Sequence, residues 1–258
     1  METTLSPLGV TTVYLLPMRF VADPGSIVLG PPSWAFLLFV VLWLPIAAVR
    51  QRRRMGVTHA PPSRRRLYVM GLTTQAALLV VSGAVYLYAR FPILPAYRLT
   101  SRDAGIGVVA LAVGLLPMLK PFRLKDPEAR RQAGRIAPRT AGERALFYMM
   151  ALSAGAAEEI AYRGVAFTLV AALVGSWWLS ALICAVSFGV VHVFQGWKAA
   201  SIAGAIGLMA HIVVGLTGTL FVVMVQHALH DIIAGTVIGI RTARSEAANS
   251  GGDALAVS

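Results

Sequence analysis

Seven stretches of this chain are apolar over lengths that match a lipid bilayer, near residues 34–49, 67–89, 104–119, 145–175, 177–194, 199–216 and 219–240. The hydrocarbon core of a membrane takes about 20 predominantly apolar residues in helical form, and there only helices or closed barrels satisfy every backbone polar group. The expected fold is therefore an all-α, polytopic transmembrane helical bundle. The fourth stretch is 31 residues long, too long for a straight perpendicular span at about 1.5 Å per residue. It is expected to be tilted, kinked or broken near Gly164. An eighth, shorter apolar piece at 8–22 contains Pro17 and Arg19 and is expected to be re-entrant or interfacial, which gives seven or eight spans in all.

Composition excludes the soluble alternatives. Apolar residues make up 57% of the chain and charged residues only 13%, against a usual charged fraction of about a quarter in soluble domains. The 23 Lys and Arg are sharply sorted: seven fall within Arg50 to Arg66 and eight within Lys120 to Arg144. By the positive-inside rule, both of these loops face the cytoplasm. Counting spans from them puts the N-terminus outside and the C-terminus, with Arg241 and Arg244, inside. The net charge of +12 is then a topology signal with attraction to anionic lipid headgroups. It is not a nucleic-acid footprint, because aromatic residues at stacking spacing are absent from the basic loops. Arginine outnumbers lysine 20 to 3 among abundant Ala, Val and Gly, a composition that suggests a bacterial inner-membrane protein. The first residues lack the early positive charge and small-residue cleavage site of a secretory signal, so insertion is expected to rely on the first span.

Three regions are expected: N-terminal spans with the two basic loops over 1–144, a helical core over 145–240, and a disordered tail over 241–258. The first three spans hold no acid, base or histidine, whereas the last four hold Glu158, Glu159, Arg163, His192, His211, His227, His230 and Asp231. A charge at mid-bilayer costs roughly 2.5 to 3.5 kcal/mol on insertion scales, so such groups must face inward and satisfy one another. A purely structural salt-bridge network would explain them poorly, since buried ion pairs are weak stabilisers. Helix geometry sorts them further. Glu159 and Arg163 form an i, i+4 pair, while Glu158 points about 100° away and is left free to act as a general base. Phe188 and His192 share a face one turn apart, with Phe188 placed to wall the site. His227, His230 and Asp231 fall within an arc of roughly 100°.

The runs EEIAYRG at Glu158 to Gly164, FGVVH at Phe188 to His192 and HALHD at His227 to Asp231 resemble the EExxxR, FxxxH and HxxxN/D motifs of the CAAX protease and bacteriocin-processing family of intramembrane endopeptidases, which includes the type II CAAX prenyl endopeptidase. The resemblance covers about residues 140 to 240. It implies hydrolysis of a peptide bond in a membrane-associated peptide or protein. Glu158 and His192 would activate a water, and His227 and Asp231 would form the oxyanion side. Glu159, Arg163 and Phe188 would be structural or substrate-orienting. The aspartate departs from the commoner asparagine: ionised, it has no donor hydrogen, so it would assist an oxyanion only if protonated or by orienting His227.

The same residues admit rival chemistries. Two histidines and a carboxylate make a possible catalytic zinc shell, but the chain has no HExxH and the groups lie on three helices, so no cofactor is expected. Cys184 lies two turns before His192, about 12 Å along the axis, too far for a thiol nucleophile; core packing is expected. His211 stands alone on its span as a packed or pore-facing residue, and His230 is placed to hydrogen-bond Asp231. Trp177 and Trp178 mark an external interface or a packing site. Glycines 155, 164, 189, 204, 207, 215 and 218 suit close helix crossings, with Gly189 also able to open space for a peptide. Two other classes, a proton-coupled transporter and a non-catalytic scaffold, remain alternatives, although the inverted repeats or paired broken helices of transporters are not visible. The expected partners are a peptide or protein substrate and the lipid bilayer. The sequence decides neither the scissile bond nor the oligomeric state.

Overall fold

The computed structural model describes residues 3–5, 11–13, 27–55, 63–89, 99–119 and 134–255. Helix dominates them. The exceptions in regular structure are two three-residue strands, β1 (Thr3–Leu5) and β2 (Thr11–Val13), paired antiparallel. The expected apolar piece at 8–22 falls mostly outside the described residues; its described part, Thr11–Val13, is strand.

The first long rod joins α1 (Pro31–Leu37), a π-helical segment Leu38–Trp43 and α2 (Leu44–Met55). Pro45 explains the wide turn, because a proline inside a helix has no N–H for the carbonyl four residues back and crowds it. The N–H of Leu44 bonds Phe39, five residues back, which releases the Val40 carbonyl. Ser187 Oγ, from a later helix, donates to that carbonyl at 2.9 Å. α3 spans Arg64–Ala89 and α4 spans Ser101–Leu119.

The long fourth stretch resolves into α5 (Ala141–Glu159), a π-helical segment Ile160–Ala166 and α6 (Phe167–Val174). The irregularity expected near Gly164 is thus a π turn, a form that recurs at functional sites. Thr168 Oγ1 donates to the Gly164 carbonyl at 2.6 Å. α5 opens with a capping box: Thr140 accepts from the Glu143 N–H at 3.2 Å, and Glu143 Oε2 accepts from the Thr140 N–H at 3.3 Å. α7 (Trp177–Val191), a short 3₁₀ turn His192–Gln195, α8 (Trp197–Thr217) and α9 (Leu220–Leu255) complete the bundle. The tail from 241, expected to lack order, extends α9 as helical backbone to Leu255, because lengthening an existing helix avoids the cost of a new nucleus.

Gly218 is a stop rather than a crossing. It closes α8 with φ 70° and donates to the Val214 carbonyl, as Gly175 closes α6 at φ 65°; side chains other than glycine rarely adopt that left-handed region. True close crossings occur elsewhere. A Cβ at Gly155 would lie 2.6 Å from the Met224 carbonyl oxygen of α9, and one at Gly189 would lie 2.8 Å from the Ala200 carbonyl oxygen of α8. Gly189 therefore brings two helices together and opens no space for a peptide.

α5 lies between α3 and α9, α4 packs on α8 and α9, and α7 packs on α8 and α2. Among the described residues, five helical runs are long and apolar enough to cross a membrane: Pro31–Arg54, Arg64–Ala89, Trp177–Gln195, Trp197–Thr217 and Leu220–Arg244. The α5–α6 rod, with Glu158, Glu159 and Arg163 at its middle, is not among them. Large apolar side chains face outward along the helices, with Leu87 74% and Val80 72% exposed, an arrangement suited to lipid and costly in water. Trp177 is buried against Phe167 while Trp178 stays exposed. The described ends of the two arginine-rich loops meet: Arg64 Nη2 donates to the Gly134 carbonyl at 2.8 Å, and its Nη1 lies 3.9 Å from Glu143 Oε1.

Candidate active site

The π turn of the α5–α6 rod sets the centre of the site. Glu159 and Arg163 are each 1% exposed, and Arg163 Nη1 donates to Glu159 Oε1 at 3.2 Å. The pairing read from the i, i+4 spacing is present. Two further contacts hold the guanidinium: Nη2 donates to the Gly207 carbonyl of α8 at 3.2 Å, and Cζ lies 4.4 Å from the centroid of the Phe188 ring. A buried cation over an aromatic face gains electrostatically from the ring quadrupole. Gly207 has no side chain because a Cβ there would stand 3.1 Å from Arg163 Nη2 and 3.2 Å from Phe188 Cδ1.

Glu159 also binds α9. His227 Nδ1 lies 2.7 Å from the same Oε1; a carboxylate oxygen accepts, so Nδ1 carries the hydrogen and donates. One carboxylate therefore ties the rod to the last helix, which adjacent-residue spacing could not reveal. His227 Nε2 lies 3.6 Å from Asp231 Oδ2, and His230 Nδ1 lies 3.3 Å from Asp231 Oδ1. A contiguous polar chain thus runs from Gly207 on α8 through Arg163, Glu159, His227 and Asp231 to His230.

Glu158 stands apart from that chain. It is half-buried, and its Oε2 is enclosed with no hydrogen-bond partner. His192 begins the 3₁₀ turn after α7, and its Nδ1 lies 2.8 Å from the Phe188 carbonyl. A carbonyl only accepts, so Nδ1 carries a hydrogen and donates to it, and Nε2 is the ring nitrogen left without a hydrogen-bond partner among the described residues. No hydrogen bond joins Glu158 to His192 among the described residues. Phe188 forms the wall between the parts: its ring centroid is 4.6 Å from that of His192, 5.2 Å from Tyr162 and 6.2 Å from His227.

Residues 140–233 match the family described as type II CAAX prenyl endopeptidase Rce1-like. The matched region, under half of the chain, is similar to an Rce1-like domain. It starts at Thr140, the N-cap of α5, and ends two residues after Asp231, so it takes in Glu158, Glu159, Arg163, Phe188, His192, His227 and Asp231. The membrane-length helices make the chain a multi-pass membrane protein, and the likeness to CAAX-type endopeptidases is that of residues 140–233. No curated protein and no solved structure matches the chain.

Within the matched region, Cys184 is fully buried in the apolar core, and His211 is buried with its ring centroid 5.0 Å from that of Phe167. Both are packing residues. Among the described residues no group of three or more His, Cys, Asp or Glu side chains is arranged to hold a metal ion. The sequence reading missed Tyr162, whose ring closes on Phe188, and the Gly207 carbonyl. Tyr162 carried a signal, since it lies one turn after Glu158 on the same face; a backbone carbonyl carries none. It also missed Arg52, outside that region, whose Nη1 donates to the Val193 carbonyl at 3.1 Å. That bond anchors the turn carrying His192 to α2.

Proposed function

We propose that this protein is an intramembrane endopeptidase that hydrolyses a peptide bond in a membrane-associated peptide or protein with a water activated by Glu158 and His192. The observation that carries this reading is the division of labour between adjacent glutamates. Oε1 of Glu159 is committed to both Arg163 and His227, whereas among the described residues no hydrogen bond or ion pair holds Glu158; an enclosed, unpartnered Oε2 is common to the two glutamates and does not separate them. A carboxylate left without a partner at membrane depth is a candidate proton acceptor rather than a structural ion.

In this reading Glu158 takes a proton from the water as its oxygen bonds to the scissile carbonyl carbon, and His192 Nε2 accepts a hydrogen bond from the same water. The carbonyl oxygen becomes an oxyanion facing His227, whose Nδ1–H is held by Glu159 and whose Nε2–H, in the imidazolium form, donates to it. Asp231 Oδ2, 3.6 Å from that nitrogen and beyond hydrogen-bond reach, leaves this hydrogen to the oxyanion and acts on His227 through its charge, so an ionised aspartate needs no donor. Collapse of the intermediate breaks the C–N bond, Glu158 passes its proton to the leaving amine, and a carboxylate and an amine depart. Glu159, Arg163 and Phe188 hold this frame. No cofactor takes part.

The catalytic core is assigned to 145–240, following spans and basic loops over 1–144. The protein sits in the bacterial inner membrane with its N-terminus outside and its C-terminus in the cytoplasm. Single-cysteine variants in both arginine-rich loops should resist an impermeant reagent in intact cells; ready labelling of both would reverse this orientation.

The decisive comparison is the peptidome of membranes carrying wild type against membranes carrying Glu158→Ala. A set of peptides cleaved only with wild type is expected. Identical peptidomes from proteins present at equal levels would remove the endopeptidase reading and leave a carrier or scaffold.

A further inference from the structure

Consecutive residues on a helix point about 100° apart, so neighbouring side chains on α9 do not meet by default. His230 and Asp231 meet nonetheless, with Nδ1 to Oδ1 at 3.3 Å. The carboxylate accepts, so the ring nitrogen donates. Asp231 is thereby divided, one oxygen toward His230 and the other 3.6 Å from His227 Nε2. Asparagine, the residue more common at this position in the resembled motif, has one acceptor oxygen and a donor of its own; aspartate has two equivalent acceptors and needs something to choose its rotamer.

The His230 ring is also seated from outside its own helix. A Cβ at Gly114 of α4 would touch His230 Cδ2 at 3.4 Å, so the α4 backbone passes beside the ring, and Met209 of α8 reaches the same spot. Of the imidazole, 18% is exposed, against 37% of the Asp231 side chain. The more enclosed group thus fixes the more exposed one.

We propose that His230, which occupies a variable position of the HxxxN/D run, is a positioning residue: by donating Nδ1–H to Asp231 Oδ1 it aims Oδ2 at His227, a task that exists only because residue 231 is aspartate. This rests on the endopeptidase reading above, in which His227 faces the oxyanion.

The test uses the full-length protein and a fluorogenic form of a peptide that wild-type but not Glu158→Ala membranes cleave. It compares wild type, His230→Phe, His230→Asn, Asp231→Asn and the double variant His230→Phe/Asp231→Asn for kcat, KM and thermal midpoint. Losing a charge-assisted hydrogen bond should lower kcat about 10-fold in His230→Phe with KM nearly unchanged. His230→Asn, whose side-chain amide nitrogen stands near the place of ring Nδ1, should recover most of that loss. Starting from Asp231→Asn, whatever its own rate, adding His230→Phe should cost less than about 2-fold, because coupling vanishes when the partner is gone. Equal fractional losses in both backgrounds, or no recovery with asparagine, would overturn the proposal. The thermal midpoints separate this failure from that of the endopeptidase reading. Additive shifts over the 230/231 cycle refute the pairing even if no peptide is cleaved, whereas non-additive shifts in a protein without turnover uphold the pairing and remove the peptidase.

Discussion

Replacing Glu159 by glutamine removes the charge that both Arg163 and His227 face while keeping a carbonyl oxygen in place. Opposite charges about 4 Å apart interact by about 4 kcal/mol at an effective dielectric of about 20, and stranding one partner of a buried pair typically costs about 3 to 5 kcal/mol. Arg163 is 1% exposed and, besides residue 159, has the Gly207 carbonyl and the Phe188 ring as uncharged partners. The glutamine oxygen still accepts, so a loss near 3 kcal/mol, at the lower end of that range, is expected. At about 2 to 4 °C per kcal/mol for a chain of this size, the thermal midpoint should fall by roughly 10 °C. Joint replacement, Glu159→Gln with Arg163→Met, should restore at least half of that, because no unpaired cation remains. Glu158→Gln breaks no ion pair and should leave the midpoint nearly unchanged, yet lower turnover about 100-fold or more, the usual contribution of a general base. His192→Ala should match it in activity. Glu159→Gln should lose activity too, about 10-fold, since His227 loses its charged anchor. Thermal unfolding and peptide turnover measured on the same preparations decide the matter. Near wild-type cleavage by Glu158→Gln, or equal destabilisation by the two single glutamate variants, would refute the assignment.

Gly155→Ala should cost about 1 to 3 kcal/mol through overpacking, because the new Cβ meets the Met224 carbonyl oxygen of α9 at 2.6 Å; turnover should fall with it as Glu159 is pushed from His227, and an unchanged thermal midpoint would show that α5 and α9 are not packed this closely. The purified protein should contain no stoichiometric zinc; zinc at one per chain, with activity lost to a chelator and restored by zinc alone, would recast Glu158, His192 and His227 as ligands. Thr140→Ala should cost about 1 kcal/mol by removing the α5 N-cap. Backbone N–H donation from Arg139, and then from Thr140, holds the Glu143 carboxyl below its ordinary value of 4.5. A lowered folded value means stabilisation that is present above the ordinary value and lost as pH falls through the folded one. The thermal midpoints of wild type and Glu143→Gln should therefore differ at neutral pH and converge in acid; a constant gap would remove the carboxylate from the cap.

The all-helical membrane bundle was legible because apolar length and charge sorting are one-dimensional properties that the bilayer reads directly. The pairing of Glu159 with Arg163 was legible for a related reason: residues four apart on a helix are neighbours whatever the rest of the chain does. Three motif runs placed on separate spans were enough to suggest the family that residues 140–233 match. Tertiary structure decided everything that crosses between helices. It brought His227 of α9 onto the oxygen of Glu159 that already serves Arg163, and it divided Asp231 between His227 and His230. It set Gly207 and Gly189 as points of close approach while making Gly218 a helix stop, roles that a glycine in the sequence does not distinguish. The wide turn after Leu37 shows the same limit: Pro45 predicts that a carbonyl loses its donor, but only packing determined that Ser187, 147 residues away, would supply another. Contacts within a helix follow from spacing along one axis, whereas contacts between helices depend on rotation, tilt and depth, which packing side chains set together and no single stretch of sequence encodes.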